Sequence, residues 1–465
     1  MDAITYGQLV LMLGDTVMQA LQVDIREKPG CHGILSAVLA VEEGVKEYLL
    51  YEEDSSVALY VVQDKELKPL FFGIVSSISM KTVGRQCTVY LNAVTGSYQM
   101  DIFAQNRSFQ DIAMTSHQLV EKVMEPYKEQ SKVLFSIPEE ELGQIMVQYQ
   151  ETDWVFLNRI LSRYGIWACV DSAKPGICLR LGLMDTEEDA DWDWLPYKVM
   201  RDAASADTGR TLKGQICYEV EAYDLFPLGE KVRFHDKDLY IGKITRSIRK
   251  GLLVNRYNLY FQEGIAVPVQ NNPYLSGISI NGSVAGVKRN TVQVKLETDA
   301  LEKCKKQYLF PFSTVAASPD GSGWYCMPKE GDRIRIFFPT DDESKGYAIA
   351  NIMGEYAPAP GSSIENPDAK DITMPDGKAV RFVSGGIQFA VGEDKGTVTL
   401  TNDGKAEIRT DEDISISAAE AVCLTTDGTM EVTAGTQIQI VSDAGGSMRM
   451  TGDTVQIRAF AIENN

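Results

Sequence analysis

Apolar pairs flanking one mostly polar residue recur along the last hundred residues of the chain, their first members eight apart: Val398/Leu400, Ala406/Ile408, Ile414/Ile416, Val422/Leu424, Met430/Val432 and Ile438/Ile440. The residues in between are Thr399, Glu407, Ser415, Cys423, Glu431 and Gln439. Side chains alternate between the two faces of a strand, so each apolar pair shares one face and its middle residue lies on the other. Two more pairs, Met448/Met450 and Val455/Ile457, continue the pattern at spacings of ten and seven. Turn residues such as Asn402-Asp403-Gly404, Asp427-Gly428 and Ala444-Gly445-Gly446 fall between the pairs.

A series of short strands with one apolar face must stack on other copies to bury it. Three octads make a coil of 24 residues, so a single chain would complete only about two and a half coils, below the three repeats a solenoid needs. Three chains winding together solve the problem, because every layer then brings apolar pairs from three partners to a common axis. Residues 372–465 are therefore expected to form a trimeric, intertwined triple-stranded β-helix or β-prism. Its core is expected to hold Val398, Leu400, Ile408, Ile414, Ile416, Val422, Leu424, Met430, Val432, Ile438, Ile440, Met448, Met450, Val455 and Ile457, with the polar middle residues outward.

Upstream the pattern is mixed, and the fold class read from it is mainly β with α/β insertions. Strands are expected at Tyr48–Tyr51, Ala58–Val62, Leu70–Met80 and Cys87–Val94. A capping box, Thr115-x-x-Gln118, starts a helix with Leu119, Val120, Val123 and Met124 on one stripe. A second helix follows Thr152 and Asp153, with Phe156, Leu157, Ile160 and Leu161 inward, Arg159 and Arg163 outward and Gly165 ending it. Trp154 and Trp167 flank it as core anchors. Alternating segments return between Gly214 and Phe261. Some eighty residues of short strands from Gly277 to Gly354, among them Val292/Val294/Leu296, Ile334/Ile336/Phe338 and Tyr347/Ile349/Asn351, suggest a small closed barrel. The stretch Ala357-Pro-Ala-Pro-Gly-Ser-Ser reads as a linker. The modules are thus a first barrel with helical insertion (1–148), a second barrel (149–270), an OB-like barrel (271–357), a linker (358–371) and the spike (372–465).

Charge and chemistry narrow the function. With 45 Lys plus Arg against 65 Asp plus Glu the net charge is −20, a field that repels polyphosphate, so no nucleic-acid partner is expected. Eight scattered cysteines without a C-x-x-C pair read as reduced, mostly buried thiols of a chain made in the cytoplasm. His32, His117 and His235 lie far apart, and no phosphate-binding glycine loop or nucleophile elbow occurs. The acidic stretch Asp185–Trp194 has no fixed ligand spacing and reads as a solvated loop. No enzyme activity, cofactor or metal is expected.

The order of parts resembles the VgrG spike of type VI secretion and the fused hub-and-needle proteins of contractile phage tails and tail-like particles. Residues 149–161, Tyr-Gln-Glu-Thr-Asp-Trp-Val-Phe-Leu-Asn-Arg-Ile-Leu, are similar to that family's Tyr-x-Glu-Ser/Thr-Asp-x-x-Phe-Leu-x-Arg-Leu-Leu signature. Gly73-Ile74-Val75 resembles its Gly-x-Val strand, and Pro328-Lys-Glu-Gly331-Asp332-Arg-Ile334-Arg-Ile336 its Pro-x-x-Gly-Asp-x-Val-x-Val pattern. The resemblance implies a homotrimeric central spike in which two barrels from each of three chains form a pseudo-hexameric ring on the tail tube, with the needle driven through a target cell envelope. It implies tail tube and baseplate proteins as partners, and assembly into a particle delivered outside the cell or into a target. A small PAAR-like cap is expected over Phe460 and Ile462. These octads are apolar-x-apolar rather than the Val-x-Gly common in phage needles, and the segment after Ile457 lacks the His-x-His of iron-tipped spikes. A trimeric receptor-binding fibre and a β-helical glycan-degrading enzyme are the alternatives.

Overall fold

The structure is a computed structural model, and it describes residues 3–42, 49, 55–63, 65–84, 86–184, 187–188, 191–201, 211–300, 303–315, 318, 326–350, 368, 370–374, 376–392 and 394–461. The expected strand Tyr48–Tyr51, the linker up to residue 367, much of the acidic stretch and Ile462 lie outside these residues, in whole or in large part. Two compact units are present, within Met1–Ile352 and Met353–Asn465.

In the first unit, β1 (Leu9–Leu13), β2 (Thr16–Glu27), β3 (Ile34–Glu42), β4 (Ser56–Gln63), β5 (Glu66–Val83) and β6 (Gln86–Val94) pair in the order β1-β4-β5-β6-β3-β2. β1 also pairs with β2, which closes the barrel. Alternation builds its core: Leu9, Leu11 and Leu13, then Val57, Leu59 and Val61, are buried while their neighbours are not. Gly73 is required here, because a Cβ at that position would lie 2.3 Å from the Val94 carbonyl oxygen.

The insertion holds β7 (Ala104–Phe109), α1 (Ser116–Met124), β8 (Ser131–Phe135), β9 (Met146–Thr152), α2 (Asp153–Ser162), β10 (Ala168–Val170) and β11 (Ile177–Leu181). The capping box at Thr115 and Gln118 is present, and Leu119, Val120, Val123 and Met124 are buried as the stripe predicts. Thr152 caps α2, its side chain accepting from Val155 N–H at 3.2 Å. Gly165 follows the helix at φ +72°, the left-handed conformation that suits glycine. Trp154 is buried, whereas Trp167 is only half-buried.

The second barrel module contains β12 (Glu187–Glu188), β13 (Tyr197–Arg201), β14 (Ile216–Ala222), β15 (Lys231–Phe234), β16 (Lys237–Arg249) and β17 (Leu252–Tyr260). It is not a separate sheet. β16 pairs antiparallel with β2, Ile244 opposite Glu27 through Ser247 opposite Asp24, so both modules share one twelve-stranded sheet. A buried ion pair, Arg246 to Glu27 at 3.2 Å, lies on that seam.

β18 (Ile278–Lys288), β19 (Thr291–Leu296), β20 (Phe310–Pro311), β21 (Arg333–Phe338) and β22 (Tyr347–Ala350) form a five-stranded sheet in the order β20-β19-β18-β21-β22. A parallel bridge from Phe312 to Ala348 brings its ends together, giving the expected small barrel. The phase of the last strand differs from the sequence reading: Ala348 is buried, and Tyr347 and Ile349 are half-buried, because the register sets Ala348 opposite the inward-facing Ile336 and Ile349 opposite Arg335.

In the second unit β23 (Lys370–Thr373), β24 (Ala379–Val383), β25 (Gly386–Val391), β26 (Gly396–Thr401) and β27 (Ala406–Thr410) make an antiparallel meander. β28 (Gln437–Val441), β29 (Ser447–Thr451) and β30 (Thr454–Arg458) make a second. Between Asp411 and Thr436 the chain forms no strand.

Candidate functional site

Two features of the chain have the character of functional sites: a charged clamp in the first unit and an uncovered apolar face in the second.

The clamp is built by the signature residues at 149–161. Arg159 does not face solvent, as the helical pattern suggests, but is 1% exposed. Its Nε donates to Glu151 Oε1 at 2.9 Å, Nη2 to Glu151 Oε2 at 2.9 Å and to the Val147 carbonyl at 2.7 Å, and Nη1 to Glu343 Oε1 at 3.0 Å. Arg163 donates to the same Glu343 oxygen at 3.0 Å. Glu343 belongs to the short 3₁₀ turn Glu343–Lys345 before β22 and is fully buried. A buried charge is tolerated because all three guanidinium nitrogens meet acceptors, two of them carboxylates of opposite charge. Burial lowers the Arg159 pKa, but Glu343 and Glu151 together outweigh it and leave it raised. The Glu151 carboxyl is raised by burial, which Arg159 only partly offsets. The clamp thus ties α2 and β9 to the small barrel, a role the sequence could not assign because Glu343 lies 184 residues away.

Asp153 is held beside it by Arg107, by Gln148 Nε2 at 3.0 Å and by Tyr127 Oη at 3.0 Å. Burial, then Asp153, pushes the Tyr127 phenol up to about 12, so it stays a donor. Asp111 joins the same two regions: its carboxylate accepts from the N–H groups of Lys305 at 2.8 Å, Lys306 at 3.1 Å and Ala113 at 3.2 Å.

The structure also brings together residues that sequence spacing did not connect. His32 lies with Nδ1 2.8 Å from Ser97 Oγ and Nε2 3.4 Å from Asp101 Oδ2, its ring tilted by 36° against Trp154 at 4.3 Å between ring centroids. Ser97 is fully buried, whereas His32 and Asp101 are half-buried. Burial lowers the His32 pKa, with Asp101 opposing, which favours the neutral ring. His117 bonds the Ile137 carbonyl at 3.1 Å beside its helix start. Among the described residues no His, Cys, Asp or Glu cluster could hold a metal, and no helix is long and apolar enough to cross a membrane. All eight cysteines are free thiols, but Cys31, Cys326 and Cys423 are exposed and Cys304 half-buried, so only four are buried as expected. Trp192, in the acidic stretch, is packed inside rather than solvated, its indole donating to Asp224 at 2.9 Å.

The apolar face runs across the first meander. Ile372, Val380, Phe389, Val398 and Ile408 stand opposite one another in successive strands, forming one continuous cross-strand row. Phe382, Ile387, Leu400 and Ala406 form a parallel row on the same face. Asp371, Arg381, Gln388, Thr399 and Glu407 line the opposite face, as the octad pattern predicts for Thr399 and Glu407. The apolar side carries an open groove of about 620 Å³. Of the fifteen residues expected in a spike core, twelve are 40–71% exposed in the single chain, and Ile438, Met448 and Met450 are half-buried. Pairing within one chain accounts for some of them: Val398 opposes Ile408, Ile438 opposes Met450, and Met448 opposes Ile457. Ile414, Ile416, Val422, Leu424, Met430 and Val432 have no ladder within the chain. Phe460 is fully exposed. The octad count missed Ile372, Val380, Phe382, Ile387 and Phe389, although Ile372 and Val380 already stand eight apart.

Residues 54–193 match the phage tail baseplate hub (GPD) family. No curated protein sequence matches the chain. Among solved structures, the E. coli c3393 protein, described as a component of the type VI secretion system similar in structure to the T4 bacteriophage tail proteins gp27 and gp5, aligns with TM-score 0.53 at 15% identity, covering 73% of this chain and 98% of that one. VgrG complexes with PdpA from Francisella align at 8% identity. The half-lidded form has TM-score 0.53 and covers 86% of this chain and 87% of that one; a lidless form has TM-score 0.52 and covers 86% and 97%. At these identities the alignments speak for the fold alone, and they cover most of the chain. Closed first barrel, shared sheet and small barrel give this chain the fold of those structures over most of its length, and within it residues 54–193 match the phage tail baseplate hub (GPD) family.

Proposed function

We propose that the protein is the central hub and spike of a contractile injection baseplate, joining the tail tube to a needle that punctures a cell envelope, and that it does so as a homotrimer. The observation that carries the reading is the apolar face beyond residue 370, which a single chain leaves in water. Fully burying a Val, Leu, Ile or Met side chain contributes about 1.5–3 kcal/mol relative to leaving it exposed, so twelve such residues are a strong drive to associate. Extended backbone without a ladder between Asp411 and Thr436 adds the same demand in hydrogen bonds. Strands from two further copies meet both.

In this reading the first unit is the ring that seats on tube and baseplate proteins, and the clamp at Arg159 keeps the small barrel rigidly attached to that ring under axial load. The modules 1–148, 149–270, 271–357 and 372–465 act as ring, ring, collar and needle. A PAAR-like cap covers Phe460 at the tip, and its loss on truncation after Ile457 checks that contact. The particle carries the protein out of the cell that made it. Sedimentation of the native chain tests the whole reading: a mass near 154.5 kDa, three times 51.5 kDa, is expected, and a stable monomer would overturn it.

A further inference from the structure

The hub exposes an open strand edge beside a groove rimmed by lysines. β8 pairs only with β11, in parallel, on one side. Ile177 N–H donates to the Gln130 carbonyl at 2.8 Å, and Ser136 N–H to the Leu181 carbonyl at 2.9 Å. In a parallel ladder this aims the even-numbered backbone groups of β8 at β11 and those of Ser131, Val133 and Phe135 away from it. These outward groups have no backbone or side-chain partner among the described residues. An uncovered edge of this kind is a ready template for another strand.

Next to the edge lies a cavity of about 760 Å³ whose apolar floor includes Met114, Met124, Val133 and Phe135. Lys128, Lys303 and Lys305 rim it and form no salt bridge among the described residues. Three acids line it as well: Asp111, held by three backbone N–H groups, Glu125, paired with Lys122 at 3.1 Å, and Glu121. Four lysines against three carboxylates leave the groove with a small positive excess on a chain of net charge −20.

We propose that Ser131–Phe135 is a docking edge for an extended, acidic segment of another protein of the particle, which adds to the sheet as a fourth strand beside β8. Main-chain bonds to the outward groups of Val133 and its neighbours supply affinity. The apolar floor receives alternate side chains of the segment, and the three lysines receive its carboxylates.

The probe is a capped heptapeptide of alternating valine and glutamate, titrated against the full-length chain at low salt and followed by fluorescence anisotropy. Saturable binding is expected, with about tenfold weaker binding of a version carrying lysine for glutamate and of one with a central proline. The variant Lys128→Glu, Lys303→Glu, Lys305→Glu should weaken the glutamate peptide about tenfold, and it alters only side chains at the rim. Val133→Pro removes an outward N–H without touching a bond to β11 and should act similarly; the charge variant carries the test if the proline variant does not fold. Hydrogen exchange should show the Val133 and Phe135 amides fast in the free protein and slowed by the peptide. Absence of saturable binding up to about 1 mM peptide, or equal binding of the proline-containing version, would overturn the proposal. So would protection of those amides that rises with protein concentration in the absence of peptide, which would make a second copy of the chain the occupant.

Discussion

Up to Ala348 the apolar side chains of this protein fill four cores; beyond residue 370 the only buried hydrophobic side chains among the described residues are Ala379 and Ala390. Both regions alternate apolar and polar residues, so the difference does not lie in strand propensity. In the hub each strand's apolar face meets another part of the same chain, through barrel closure or through the insertion. Beyond residue 370 the strands lie in meanders, and among the described residues no second layer of strands covers the apolar side of the first, which only the segment at Asp413–Ser415 flanks. A periodic pattern thus specifies a face, and the topology decides whether the chain itself covers that face.

The sharpest way to break the comparison is to charge the spike face. Ile416→Asp combined with Leu424→Asp should abolish the trimer, moving the sedimenting mass toward 51.5 kDa while near-ultraviolet circular dichroism of the hub is retained; a persistent trimer would show that these octads lie outside the interface.

The hub should fail from the inside. Arg159→Met leaves Glu151 buried without its cation and Glu343 with Arg163 alone, and should lower stability by about 3–5 kcal/mol, seen as a shifted urea midpoint. Arg159→Lys should rescue little of it, because an ammonium cannot replace the fork of donors.

Asp111→Asn should act in the same direction, by about 1–3 kcal/mol, through loss of the charge on an acceptor of three backbone N–H groups. Burial alone would raise the Asp111 pKa, but the N–H groups of Lys305, Lys306 and Ala113 and the charge of Lys305 leave it below its ordinary 3.8. A depressed folded-state value means the stabilisation is present above pH 3.8 and is lost as pH falls through the lower, folded value. An acid titration of wild type against Asp111→Asn checks this, and the two curves should converge at the acid end.

The smallest effect is expected on the polar side of the spike. Glu407 pairs with Arg409 at 3.0 Å in an exposed position, and Glu407→Gln should change thermal stability by less than about 0.5 kcal/mol. A large loss there would mean that the outward face is also an interface.

Local signals in the chain were informative wherever neighbours in sequence do the work. The capping box at Thr115, the stripe of α1, the Thr152 cap and the alternation of Val292, Val294 and Leu296 all describe contacts within a few residues, and each is found. Arg159 shows the limit. A charged residue on an amphipathic helix is read as facing water, and only a carboxylate from a distant segment reverses that. The octads show another: eight-residue spacing is equally compatible with hairpins on one chain, as between Ile438 and Met450, and with chain that joins no ladder of its own, as from Ile414 to Val432.

By itself, then, the sequence determined the period of the strands, the face on which each side chain lies, the helix caps and the family signature at 149–161, because these depend on backbone geometry and on short-range bonds. Only the tertiary structure decided that the two barrels share one sheet through β2 and β16, that Arg159 turns inward to Glu343, and that the spike's apolar rows stay open. Those outcomes depend on which distant segments meet, and distance along the chain carries no signal of that meeting until the fold has closed.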